Sequence, residues 1–215
     1  ALIYRKEFFK VLNEKNHKLI LNDDTSGEII FTRDQLVVDG LLEGDRYFLI
    51  INHWPSRYGG ELRSRPFRNK AAKLNIKIID SLNSTHKNPK IITMGDFNDD
   101  PKNESIKYIL NSKNYQLNLN DNDLYNPYEN MHTEGIGTLV YRGYWNLFDQ
   151  IIISGSLLNK SSKAFSFYNS FIFKEKYLIN QDGNYKGYPF RSFAGGRYLD
   201  GYSDHLPVYI LLIKE

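Results

Sequence analysis

The sequence contains no cysteine, which excludes disulfides, thiolate catalysis and any cysteine-ligated zinc site. Oxidising and reducing compartments both tolerate that absence, so localisation stays open. No apolar run approaches the roughly 20 residues needed to cross a bilayer, and no repeat, linker or low-complexity tract interrupts the chain. Strong charge of one sign is missing too. A net charge of +3 cannot hold a polyanion by bulk attraction, so an anionic substrate must be gripped locally or through a metal ion. What remains is ordinary globular composition, 41% apolar and 25% charged over 215 residues, which predicts one domain, 1–215.

Short β-prone runs dominate the first third. Strands are predicted at Phe8–Leu12, Glu28–Phe31, Gln35–Leu42 and Arg46–Asn52, with Glu43-Gly44-Asp45 as a hairpin turn, giving a meandering antiparallel sheet. Ala71, Leu74, Ile78 and Leu82 recur at helical spacing and predict a helix from about Pro66 to Asn83. A buried strand follows at Lys90–Met94, then a short helix over Asn103–Leu110 and surface loop to about Glu134. Gly143–Ser154 reads as one apolar strand in which Asp149 is the only carboxylate, and a buried carboxylate needs a partner. The aromatic, glycine-containing span Tyr168–Tyr202 predicts a long ordered loop over a site, able to stack on bases, cover a lipid head group or shield a sheet edge. The final strand starts just after Asp204 and His205.

Polar groups gather where strands end. Lys90–Pro101 passes from an apolar run into Gly95, Asp96, Asn98, Asp99 and Asp100, and strand alternation puts Asp96 and Asn98 on one face with Phe97 turned inward. A carboxylate suits a hard cation or an attacking water, and an amide donates to a phosphoryl oxygen without adding negative charge. The same composition also makes a plain Asx-rich turn. His53 and the Asp204–His205 pair stand at two further strand ends, and each alone reads equally as a structural histidine or a turn cap.

Taken together and in order, Asn52-His53, Gly95-Asp96-Phe97-Asn98, Phe148-Asp149-Gln150-Ile151 and Ser203-Asp204-His205-Leu206-Pro207 resemble the endonuclease/exonuclease/phosphatase superfamily, the deoxyribonuclease I-like fold. The resemblance implies an α/β four-layer sandwich, two mainly antiparallel sheets face to face with helices outside. It covers the C-terminal two thirds of such a domain. An asparagine and a metal-binding glutamate that precede this region in the family have no counterpart, and neither Glu7 nor Glu14 takes the role. The resemblance therefore implies an N-terminally incomplete domain that binds its ion weakly and turns over slowly, with a sheet face left for a missing segment or a second chain to cover.

By the same resemblance, His205 oriented by Asp149 activates water, Asp96 orients or deprotonates it, Asn98 and His53 contact the scissile phosphate, and Asp204 with Asp96 ligates Mg²⁺ or Mn²⁺. Arg57, Arg63, Arg65 and Arg68 follow His53, where they either hold phosphates or form a solvated loop, and Arg57 is the expected phosphate contact. The expected function is a metal-dependent phosphodiester hydrolase of the nuclease type acting on nucleic acid. The alternatives are a phosphoinositide phosphatase or sphingomyelinase-like phospholipase, since loops decide the substrate, and an inactive fragment or binding module.

Overall fold

The computed structural model describes residues 1–22, 27–160 and 164–214. In chain order the strands and helices are β1 Phe9–His17, β2 Leu21–Asn22, β3 Ile29–Ile30, β4 Gln35–Leu42, β5 Asp45–His53, α1 Glu61–Thr85 and β6 Lys90–Asp96. They continue with β7 Leu124–Tyr125, α2 Tyr128–Thr133, β8 Leu139–Tyr141, β9 Tyr144–Asn146, β10 Asp149–Ser154, β11 Ser166–Ile172, β12 Phe193–Ala194, β13 Arg197–Tyr198 and β14 Val208–Ile213.

One six-stranded sheet in the order β1-β4-β5-β6-β10-β7 carries the molecule. All its pairings are antiparallel except β5–β6, which run parallel because α1 carries the chain back between them. Its central strands are buried on both faces and so read as continuous apolar runs. Ile50, Ile91 and Ile152 face α1, packing with Ala71, Ile78 and Ile79. Their strand neighbours Ile92, Ile151 and Ile153 face a second sheet, where Phe167 of β11 and Val208, Ile210 and Leu212 of β14 meet them. The layers are helix, six-stranded sheet and second sheet. Among the described residues this second sheet holds two strands, and Tyr168, Tyr209 and Leu211 on its outer side remain exposed.

The β4–β5 hairpin forms as its turn chemistry requires: Glu43 (φ 47°) and Gly44 (φ 92°) both take positive φ, as in a type I′ turn. Several boundaries differ from the expectation: β1 runs on to His17, the span expected as surface loop to about Glu134 holds β7 and α2, and β11 takes in the start of the expected Tyr168–Tyr202 loop. Helix α1 starts five residues before Pro66, at Glu61, because Glu61 forms paired 2.8 Å hydrogen bonds with Arg65 one turn on and braces the first turn. The expected strand Gly143–Ser154 is broken at Leu147–Phe148. There Leu147 N–H donates to Asp100 Oδ1 (2.8 Å) and Phe148 C=O accepts from Phe97 N–H (2.9 Å), so β9 folds back on β8 before β10 joins the main sheet.

Gly95 sits beside Asn52 in the β5–β6 ladder with φ 136°. A Cβ there would collide with the Asn52 carbonyl oxygen. We expect Gly95→Ala to destabilise by about 1–3 kcal/mol through overpacking at a backbone contact, read from urea unfolding; a midpoint equal to that of the unmodified chain would show that the β5–β6 spacing is not set by this glycine.

Candidate active site

Strand register builds the site. His53 ends β5 opposite Asp96, and Asp149 begins β10 opposite Asp96, so three adjacent strands bring the three side chains to one level. His53 Nε2 lies 3.6 Å from Asp96 Oδ2. A buried polar network holds the β5 end: the Asn52 amide donates to Thr93 Oγ1 (2.8 Å) and accepts from Trp54 Nε1 and Asn75 Nδ2, each at 2.9 Å.

The loop before β14 supplies the partner that the Asp149 carboxylate requires. His205 Nδ1 is 2.7 Å from Asp149 Oδ2, and Thr138 Oγ1 donates to the same oxygen at 2.6 Å. Leu206 N–H donates to the Thr138 carbonyl (2.8 Å), and His205 N–H donates to Ser203 Oγ (3.1 Å), so the loop is tied on both sides of the histidine. The cleft over these groups has a volume of about 400 Å³, walled by Leu178, Tyr202, Leu206 and Pro207. Burial alone would lower the His205 pKa, but the Asp149 hydrogen bond and charge hold it above its ordinary value. His53 goes the other way, lowered first by burial and further by Arg33 and His205 against the pull of Asp96. Asp96 is raised by burial and by the facing Asp149 charge.

Asp96, Asp149 and His205 each place one donor atom within 4.8 Å of the others. The Asp149–His205 contact is itself a hydrogen bond, however, and its two atoms cannot ligate an ion while it stands. Asp96 Oδ1 accepts the Asn98 N–H (2.8 Å), which leaves Oδ2 as the ion-facing oxygen. Asp204, expected as a ligand, is exposed and lies outside this cluster. The donor set still fits a hard divalent cation: two carboxylates face each other, one with its proton affinity raised by burial and by that repulsion, and a cation between them offsets the repulsion.

Two expected phosphate contacts are engaged elsewhere. Asn98 lies two residues beyond the end of β6, at φ 51°, and its amide donates to the Trp54 carbonyl (2.9 Å). The strand rule therefore does not extend to it. Arg57 stacks on Phe148, 4.4 Å from the ring centroid, and gives Nε to the Asn98 carbonyl (2.9 Å) and Nη2 to Asp99, Asp100 and Asn103. It shapes the loop after β6 and does not face the cleft. Arg68, wholly buried, has Nε 2.6 Å from Asp99 Oδ1, and Arg65 pairs with Glu61. Asp100 accepts Leu147 N–H and lies 3.4 Å from His132; burial would raise its pKa, but these contacts hold it below the ordinary value. Sequence reasoning missed Thr138, whose Gly-Ile-Gly-Thr setting has no catalytic spacing, and the basic side chain of Arg33, whose charge reaches His53 across the loop before β4.

The fold is similar to several solved structures. A TDP2 of D. rerio humanized by 14 mutations superposes with TM-score 0.57 at 15% identity, over 98% of this chain and 70% of that one. The mannosyl-6-phosphatase of Bacteroides thetaiotaomicron gives 0.56 at 17%, over 98% and 69%. The D. rerio TDP2 complexed with single strand DNA product gives 0.54 at 13%, over 98% and 70%. A search of the curated proteins finds no match to the chain. The sequence description of the Endonuclease/Exonuclease/phosphatase family matches residues 1–214, and with the fold and the strand-end cluster in agreement, the chain belongs to that family.

Proposed function

We propose that the chain is a metal-dependent phosphodiester hydrolase of the nuclease type. The observation that carries this reading is the 2.7 Å Asp149–His205 pair standing beside Asp96 at the ends of adjacent strands. In-line attack on a phosphodiester needs a base for water, stabilisation of charge on the phosphoryl oxygens and a dry, shaped site. Asp149 accepts from His205 Nδ1–H and so assigns the tautomer whose Nε2 lone pair faces outward, ready to take a proton from water. Thr138 holds the carboxylate in place, and the negative Asp149 stabilises the imidazolium that forms. Asp96 orients the attacking water through Oδ2, and His53, kept short of protonation by burial, donates to a phosphate oxygen. Asp96, the carboxylate whose Oδ2 is left free by the Asn98 N–H, would hold Mg²⁺ or Mn²⁺. When bound, that ion neutralises charge developing on the phosphoryl oxygens.

The relatives of this fold include a TDP2 seen with a single strand DNA product and a mannosyl-6-phosphatase, so substrate choice is tested directly. Plasmid, single-stranded oligonucleotide, sphingomyelin and inositol phosphates are offered over a Mg²⁺ titration. Nucleic-acid cleavage rising with Mg²⁺ and lost in EDTA is the expected result. Preference for sphingomyelin or inositol phosphates would replace the nuclease reading, and undiminished cleavage in EDTA would remove its metal.

A further inference from the structure

Of the ten arginines, four are paired with carboxylates and four others line cavities, while Arg5 and Arg197 do neither among the described residues. Arg46, Arg57, Arg65 and Arg68 are paired with carboxylates. Arg33, Arg63, Arg142 and Arg191 have no carboxylate partner among the described residues, and all four line cavities. Arg33 and Arg63 line one of about 370 Å³ with Ser56 and Tyr58, just past His53 on the β4–β5 side of the strand ends. Arg142 and Arg191 line another of about 320 Å³ with Tyr185 and Tyr188, on the side of the β8–β9 hairpin that leads into β10. Both volumes lie within the usual range for ligand sites, about 300–1,000 Å³.

Sheet order relates the two cavities. The first cavity includes Pro55 and Ser56, which follow His53 at the end of β5, and Arg142 of the second lies in the turn of the β8–β9 hairpin that leads into β10, the strand that carries Asp149. The second cavity is prearranged: Phe190 N–H donates to the Leu178 carbonyl (2.7 Å), and Tyr202 N–H to the Phe190 carbonyl (2.7 Å). One segment thus separates the cavity from the cleft beside His205. An anion confined to a single pocket would leave the opposite pair of guanidiniums unmatched.

We propose that the two cavities are flanking subsites for the non-reacting phosphates of a single-stranded nucleic acid laid across the strand ends, with Tyr58, Tyr185 and Tyr188 as stacking surfaces for its bases. This rests on the hydrolase reading and extends it to the substrate. A compact phosphomonoester has no second phosphate to offer the other cavity, and the bases of a duplex are already stacked and unavailable to the tyrosines. Each guanidinium adds a phosphate contact that releases counterions, at a slope of about 0.7 in log Kd against log salt per contact on single strands.

The test is fluorescence anisotropy of labelled oligothymidylates of increasing length in EDTA, where nothing is cleaved. Affinity is expected to rise with length until both cavities are filled. Arg142→Ala/Arg191→Ala and Arg33→Ala/Arg63→Ala should each lower the salt slope by about 1.4, while Arg5→Ala, unpaired but outside both cavities, leaves it unchanged. Arg191→Gln serves if the alanine variant melts early. Length-independent binding, unchanged slopes, or mannose 6-phosphate binding as tightly as the oligonucleotide would each overturn the inference. Hydrolysis of bis(4-nitrophenyl) phosphate is measured separately: no turnover with length-dependent binding sinks the hydrolase reading alone, and turnover without it sinks the subsites alone.

Discussion

Asp149→Asn is expected to lower Mg²⁺-dependent phosphodiester hydrolysis by about 10²–10⁴-fold, the range set by loss of general base catalysis. An amide offers His205 Nδ1 an acceptor of weaker charge, or its NH₂ group, which favours the wrong tautomer and withdraws stabilisation from the imidazolium. His205→Ala should cost a similar factor, and the double variant little more than either, because the two residues act as one unit. The pair also leaves a signature that does not depend on turnover. The folded pKa of His205 is raised above 6.5, so its stabilisation is complete below that value and is lost as pH rises through the folded pKa. The stability gap between the unmodified metal-free chain and Asp149→Asn should therefore narrow with rising pH, and the His205 ring should titrate lower in the variant by NMR. Hydrolysis within a factor of three of the unmodified chain, with an unshifted ring titration, would exclude Asp149 as the orienting group.

Arg68→Met is expected to destabilise the fold by about 3–5 kcal/mol, because it leaves the Asp99 carboxylate buried without its closest cation. Arg68 is fully buried and Asp99 nearly so. Burial pushes the Arg68 pKa down and the Asp99 pKa up despite their 2.6 Å approach, so desolvation outweighs their attraction on both sides. The pair is a costly arrangement that holds the loop after β6. Asp99 also accepts from Ser105 Oγ (2.7 Å), and its carbonyl accepts from Gln150 Nε2 (2.8 Å). Asp99→Asn should cost a similar amount. Arg68→Met/Asp99→Asn should cost clearly less than the sum, since neither charge is then stranded. Urea unfolding of the four proteins measures the cycle. Additive losses, or a single-variant loss under about 1 kcal/mol, would mean that water reaches the pair.

The Asp99–Asp100 pair shows where local reading stops. Residue type alone does not separate either from Asp96 as a ligand for an ion. In the structure Asp99 faces Arg68 and Ser105 and Asp100 faces Leu147 and His132, and apart from Ser105 these partners come from segments far along the chain. Arg57 is the same case, a basic residue next to His53 whose donors are taken by the loop across from it. The exit of Asn98 from strand geometry was equally hidden, because alternation predicts side-chain direction only while the ladder continues.

By itself the sequence determined the parts that depend on neighbours along the chain. Apolar runs marked the core strands and a 3.6 periodicity marked α1, the Glu43-Gly44-Asp45 stretch marked the hairpin, and the Gly-Asp-Phe-Asn and Ser-Asp-His motifs marked the family. Only the tertiary structure decided which of those polar groups meet. Register between β5, β6 and β10 aligned His53, Asp96 and Asp149, and loop closure brought His205 to a carboxylate 56 residues away and Thr138 to the same oxygen. Such contacts depend on the packing of both sheet faces and on which buried donors remain unmatched, quantities to which every segment contributes and which no short stretch of sequence encodes.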